Sequence, residues 1–367
     1  MALPESHPYP QRTEPLPWTR DEVTPGWLGR TMANRYPGLE VTSMKVNQLF
    51  DSHTTKMRIT VDYNDAGKAY GLPTNLCLKS NWSGMFADVD ICEIEARFYH
   101  FITPHLKVPT ATCYYADWDD GDKHHGLIVL EDLVDRGGIF AHSTDHPGAD
   151  GVESALTNLA QLHGSLWDSP ILDANSWLQT SMRTPVDHDQ VRIMWQWIEE
   201  NLKDPNFRAI APKHYLDDPR RVERAYDKLV AYERAFDAPY CIILGDCHQG
   251  NTYVLPSGER LWLDWQLGRK GRPWRDLTYF MVGSLTIDER RAHQKDLLAH
   301  YRNQLIATGA QHVPGLDEIW EQYRRWVMYG IQAWTANMDS WGQNGLPMNE
   351  RFFTAGEDLE TWALLGC

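Results

Sequence analysis

The hydrophobic pattern of this chain changes period once along its length, and that change limits what it can fold into. Val41 to Leu49, Lys56 to Tyr63 and Asn75 to Lys79 are rich in β-branched residues and alternate apolar with polar, the period-two signature of strands. Polar segments such as Asn64-Asp65-Ala66-Gly67 part them as turns. A helix opens at Thr24-Pro25 and runs to residue 37, closing before Pro37-Gly38, with proline in the first turn where its missing N–H is harmless. A second helix covers Asp90 to Thr103, and Gly126 to Leu130 returns to strand. From residue 151 onward the spacing is mostly helical, broken by one strand cluster at 240–265. No repeat organises the chain. The expectation is an α+β chain in two parts, a sheet-bearing part over 1–132 and a larger helical part over 133–367, meeting near Glu131-Asp132-Leu133.

The strand cluster carries the chemistry. The apolar run Cys241 to Leu244 enters Gly245-Asp246, and Asn251 follows five residues after the aspartate. Thr252 to Leu255 and Arg260 to Trp265 then flank Pro256-Ser257-Gly258-Glu259, a hairpin signal. A tight turn centred on Ser257-Gly258 pairs Leu255 with Arg260 and brings Asn251 opposite Asp264. Opposed residues have Cβ atoms roughly 5 Å apart, so an amide oxygen and a carboxylate converge on a site for a hard cation such as magnesium. Asp246, at the mouth of the preceding turn, is placed to accept a proton without being a ligand.

Composition narrows the partners. Thirty-five basic against 50 acidic residues give a formal charge of −15, which disfavours a phosphate-neutralising nucleic-acid surface. Six cysteines without a C-x-x-C pair read as free thiols of a reducing compartment. The leader MALPESHPYPQRTEPLP has no basic n-region or apolar h-region, and no uncharged apolar stretch reaches bilayer length. A cytoplasmic protein without membrane or nucleic-acid partners is expected. The 16 tryptophans, among them Trp167, Trp177, Trp195, Trp197, Trp320, Trp326, Trp334 and Trp341, either pack a helical core or line a broad aromatic pocket.

Gly245-Asp246-x-His248-x-Gly250-Asn251, followed by Leu263-Asp264-Trp265-Gln266, resembles the aminoglycoside phosphotransferase and ecdysteroid-kinase-like group, relatives of protein kinases. The resemblance spans residues 24 to 335 and implies a protein-kinase-like two-lobed fold. It also implies Asp246 as catalytic base, with Asn251 and Asp264 as magnesium ligands. Leu244 stands where the group usually has histidine, a departure that bears on the subgroup more than on the reaction. In the segment from Gly271 to Phe280, Asp276 matches the residue that anchors the catalytic loop. His163, on the stripe Leu156, Leu159, His163, Leu166, reads as a satisfied core histidine.

A nucleotide site needs a cation for its phosphates. Lys79 ends the strand Leu76-Cys77-Leu78, the position the family reserves for that lysine. On the helix, Ile91, Glu95, Phe98 and Ile102 follow one stripe, so Glu95 lies on an apolar face and needs a partner, for which Lys79 is the candidate. Glu93, off the stripe, reads as solvated. The loop Asp51-Ser52-His53-Thr54-Thr55 matches the family's phosphate-covering turn but lacks G-x-G-x-x-G. Its amides and the hydroxyls of Ser52 or Thr54 either cap phosphates or form a plain hairpin loop. Leu127 to Leu133 resembles the inter-lobe hinge, with the backbone of Glu131 and Leu133 pairing with adenine. No Walker A motif is present.

The leading expectation is transfer of the ATP γ-phosphate, with magnesium, to a hydroxyl of a small molecule. The tryptophan-rich helical part favours a hydrophobic or aromatic alcohol, whereas the acidic charge suits a cationic acceptor such as an aminoglycoside. A catalytically silent nucleotide-binding pseudokinase is a second class. A metal-dependent hydrolase built on His248 and His53 is a third, and the chain lacks the clustered histidine spacing of a zinc site.

Overall fold

The computed structural model describes residues 14–84, 89–119, 121, 124–178, 180, 188–336 and 345–367, with the side chains of 188–194 left aside. Trp341 and residues 1–13 of the leader lie outside the described residues. The chain divides into two compact units. One takes the residues up to His105 with Pro109–Ile139 and Leu255–Leu267, and the other takes Leu106–Val108, Phe140–Val254 and Gly268–Cys367.

The first unit is built on five strands, β1 (Val41–Asp51), β2 (Thr55–Tyr63), β3 (Asn75–Ser80), β4 (Cys113–Trp118) and β5 (Gly126–Glu131). They form one sheet in the order β1-β2-β3-β5-β4, antiparallel throughout. The alternation along β2 decides which face is core. Met57, Ile59 and Val61 are buried with Leu76, Leu78, Leu127 and Val129 against Trp27, Leu28 and Met32, each full burial contributing about 1.5–3 kcal/mol. The last three belong to the helix Pro25–Ala33, whose start is fixed by Thr24 Oγ1 accepting from the Trp27 N–H. That helix closes at Ala33, short of the expected residue 37, because the N–H groups of Arg35 and Tyr36 both turn back to the Met32 carbonyl.

Two further expectations change. Asn64 to Gly67 is not a plain turn but the start of a short helix, Asp65–Ala69, because Asn64 Oδ1 accepts from the Gly67 N–H and caps it. Strand β4 was absent from the pattern reading, since Cys-Tyr-Tyr-Ala-Asp-Trp does not alternate, and a register irregularity near Cys113 and Tyr115 accounts for that.

The second unit is mainly helical. Its larger helices are Gly148–Ser165, His188–Asn201, Arg221–Ala235, Trp274–Ser284, Ile287–Ala307, Leu316–Thr335 and Gly345–Asp358, and Cys241–Ile243 pairs antiparallel with Arg269–Gly271. Every residue of Trp274–Ser284 is buried. Trp326 and Trp334 are core side chains, while Trp167, Trp177, Trp195, Trp197 and Trp320 stay half-exposed. Among the described residues no helix is long and apolar enough to cross a membrane, and none of the six cysteines forms a disulfide.

Candidate active site

In the first unit, the helix Ile91–Phe101 can lie against β5 because Gly126 has no side chain: a Cβ there would sit 2.2 Å from the Cys92 carbonyl oxygen. This close approach presents Glu95 to β3. Lys79 Nζ lies 2.6 Å from Glu95 Oε2 and 2.6 Å from Asp264 Oδ1, and Lys56 Nζ lies 3.9 Å from Asp264 Oδ2. Lys79 and Glu95 are buried, whereas the Asp264 side chain keeps 15% of its surface open. Burial alone would lower the Lys79 ammonium, but Asp264 and Glu95 together hold it well above the usual lysine range. Burial pushes the Glu95 carboxyl up against the pull of Lys79.

The segment bearing Asp264 is tied to the same helix. Glu95 Oε1 accepts from the Trp265 backbone N–H at 3.2 Å, and the Trp265 ring stacks on Phe98 with centroids 4.0 Å apart. Asp264 itself has φ +62°, a left-handed conformation that aspartate tolerates better than most residues.

The hairpin register differs from expectation. Leu255 donates to the Glu259 carbonyl and Gly258 to the Leu255 carbonyl, each at 2.8 Å, with Gly258 at φ +86°. That is a three-residue loop with glycine in the left-handed position, favoured by Pro256 at the second place of the turn. Leu255 therefore meets Glu259, not Arg260, and the opposition of Asn251 to Asp264 deduced from a two-residue turn no longer follows.

The other nucleotide-side candidates are more constrained than their sequence suggests. Ser52 donates both its N–H and its hydroxyl to the Thr54 carbonyl, at 3.1 and 3.2 Å, and the His53 carbonyl accepts from Ser83 Oγ. Thr54 is 1% exposed, so packing encloses its hydroxyl. The Glu131 N–H is engaged by the Thr112 carbonyl at 2.9 Å. Its carboxylate accepts from the Thr112 N–H and from Arg136. Leu133 is buried and opens a short turn capped by Asp132. Glu93 is not solvated as expected: Arg97 and His124 both contact it at 2.8 Å.

In the second unit, the loop after Cys241–Ile243 is held by its backbone. The buried Asp276 carboxylate accepts from the Leu244 N–H at 2.6 Å and the Gly245 N–H at 2.9 Å, and Tyr329 donates to the Gly245 carbonyl at 2.8 Å. His163, fully buried, lies 3.3 Å from Asp276 Oδ2 and 2.7 Å from the Tyr301 hydroxyl. Asp246 follows this clamp with its side chain 24% exposed. Asn251 Nδ2 donates to the Asp246 carbonyl at 2.9 Å and to Asp246 Oδ2 at 3.2 Å. Two acceptors fix the amide nitrogen, so Asn251 Oδ1 points elsewhere. His248 Nδ1 accepts from the Gly250 N–H at 3.0 Å, and Nε2 lies 3.6 Å from Asp246 Oδ2. A Cβ on Gly250 would lie 2.7 Å from Ser143 Oγ, so the loop closes over glycine alone.

Sequence reasoning missed Lys56, Tyr329 and the pairing of Lys79 with Asp264. The cross-strand register of β2 and β3, which sets Lys56 beside Lys79, was the signal available for the first.

The antiparallel sheet followed by a mainly helical region is a protein-kinase-like fold. A Ralstonia eutropha JMP134 protein provisionally named an aminoglycoside phosphotransferase superposes with a TM-score of 0.51 at 14% identity, over 90% of this chain and 97% of that one. Plasmodium vivax ethanolamine kinase gives 0.50 at 10% identity, over 86% and 81%. Residues 51–312 match the ecdysteroid kinase-like family, and the chain belongs to that family. No curated protein matches the sequence.

Proposed function

We propose that this protein transfers the γ-phosphate of ATP, with magnesium, to a hydroxyl of a small molecule, foremost a hydrophobic or aromatic alcohol. The observation that carries the reading is the buried Lys79 ammonium with a carboxylate 2.6 Å away on each of two separate chain segments. Burying such a group is costly, and the arrangement suits a cation that is held ready and then shared with phosphate oxygens. Lys79 binds the phosphates in this reading, Glu95 positions Lys79, and the backbone of the Ser52-His53-Thr54 loop covers the phosphates. The Glu131 carbonyl and the Leu133 amide take the adenine edge.

Asp246 orients the acceptor hydroxyl and takes its proton; its loop is clamped by Asp276 and Tyr329, which fits a base that must not move. Asn251 through Oδ1 and Asp264 through its carboxylate are oxygen donors of the type magnesium prefers. Held by these two oxygens, magnesium would offset the negative charge that develops during transfer. Six cysteines outside any disulfide fit a reducing, cytoplasmic setting. The net charge of −15 favours a second reading, a cationic antibiotic as acceptor.

The test is a panel of hydroxylated compounds, hydrophobic alcohols and aminoglycosides together, incubated with ATP and magnesium and followed by mass spectrometry. Phosphorylated alcohol supports the first reading and phosphorylated aminoglycoside the second. Nucleotide binding without any phosphorylated product identifies a pseudokinase.

A further inference from the structure

The face of the first unit's sheet that carries Lys79 holds further polar and cationic side chains among apolar ones, Ile128 and Leu130 on β5 included. Register pairs Lys56 with Lys79, Arg58 with Cys77 and Thr60 with Asn75 across β2 and β3, and Gln48 with Arg58 across β1 and β2. Directly paired residues project to the same face, and alternate residues share it. Along β3, Cys77 lies two residues from Lys79, or about 7 Å. Leu76 pairs with Glu131 and Cys77 with Leu130. Arg58 and Cys77 therefore lie between the Lys79 end of this face and the Glu131–Leu133 end.

Arg58 is held there from two sides. Its Nε donates to Asp132 Oδ2 at 2.7 Å and its Nη1 to Gln48 Oε1 at 2.9 Å, while Nη2 makes no hydrogen bond among the described residues. Asp132 is itself fixed, 5% exposed, with Oδ1 accepting from the Val134 N–H. The Arg58 side chain keeps 28% of its surface open. A guanidinium whose orientation is set before any ligand arrives loses little further freedom on binding.

We propose that Arg58 forms the roof of the nucleobase subsite, its guanidinium plane stacking on the purine. This rests on reading Lys79 as the phosphate end and Glu131–Leu133 as the base edge. Guanidinium planes stack on bases and other π-faces, and the cluster of Asp132 and Gln48 fixes the plane without using its face. The rival explanation is a structural ion pair between Arg58 and Asp132 that any nucleotide ignores.

Calorimetric titration of the full chain separates them, with ATP and inorganic tripolyphosphate as probes, each with magnesium. Arg58→Leu should weaken ATP by about two- to thirty-fold, the usual range of a cation–π contact, and leave tripolyphosphate unchanged. Arg58→Gln, which retains a donor for Asp132, should show the same split and guards against loss of folding in the leucine variant. Equal or tighter ATP binding in both variants overturns the proposal, as does a parallel loss for the two probes. Lys79→Ala serves as the reference for the underlying reading: it should weaken both probes. If it weakens neither while Arg58→Leu still weakens ATP alone, the phosphate assignment fails and the nucleobase assignment stands.

Discussion

Replacing Lys79 with alanine removes the one buried cation shared by Glu95 and Asp264, each 2.6 Å from its ammonium. Glu95 is 2% exposed, so its charge cannot be rescued by water. Lys56, 3.9 Å from Asp264 and with 42% of its side chain open, is too screened to compensate. Removing one partner of a buried pair costs about 3–5 kcal/mol, which corresponds to a fall in melting temperature of about 4–7 °C for a chain of 367 residues. The deficit should depend on pH with a definite sign. Without Lys79, burial and the Asp264 charge act on Glu95 against only the weaker pull of Lys56 and raise its carboxyl further in the folded state, so the folded protein binds the proton more tightly than the unfolded chain. Stability of the variant then falls as pH rises through that range, and the gap to wild type should be wider at pH 8 than at pH 5.5. Thermal unfolding followed by circular dichroism at both pH values is the assay. Equal melting temperatures for the two proteins would refute the buried triad, and a gap that widens on acidification would refute the assignment of the stranded charge to Glu95.

Asp264→Asn is expected to abolish magnesium-dependent turnover with the protein still folded, since asparagine also tolerates the left-handed backbone at this position; unchanged kinetics would remove Asp264 from the metal site. Asp276→Asn should lower stability by about 2–4 kcal/mol in urea denaturation, because an amide cannot accept from both the Leu244 and Gly245 N–H groups as a carboxylate does, and an unmoved midpoint would contradict that. Burial lifts the Glu233 carboxyl to about 7 despite its contact with Arg272 at 3.2 Å. Its folded value exceeds the unfolded one, so this contribution to stability is present at acid pH and is lost between about pH 4.5 and 7. Glu233→Gln should flatten the decline over that window, and an unchanged pH profile would show that Glu233 stays ionised.

Much of the first unit is legible from residue order. β2 and β3 alternate cleanly because one face is core, and Glu95 is recognisable as the carboxylate on an otherwise apolar stripe. What residue order does not carry is the geometry of turns and of long-range partners. The loop at Pro256-Ser257-Gly258 supports either a two-residue or a three-residue turn; glycine in the left-handed position decides, and the choice moves every pair beyond it by one residue. Lys79 meets Asp264, 185 residues away, and no local pattern announces it. Glu93 looks solvated on a helical wheel, yet Arg97 one turn on and His124 from a distant loop enclose it. Thr54 reads as a loop hydroxyl because its burial depends on packing that only the folded unit has.

Asp246→Asn tests most directly whether this chain is a phosphotransferase with Asp246 as its base. ATP binding in the presence of magnesium is measured by calorimetry, and turnover with the acceptor that the compound panel yields. Asparagine keeps the shape of Asp246 beside Asn251 Nδ2 but cannot take the hydroxyl proton. Nucleotide affinity should therefore stay nearly intact while turnover falls by about two to four orders of magnitude. Collapse of ATP binding together with turnover would make Asp246 a metal ligand, and unchanged turnover would contradict the catalytic role altogether.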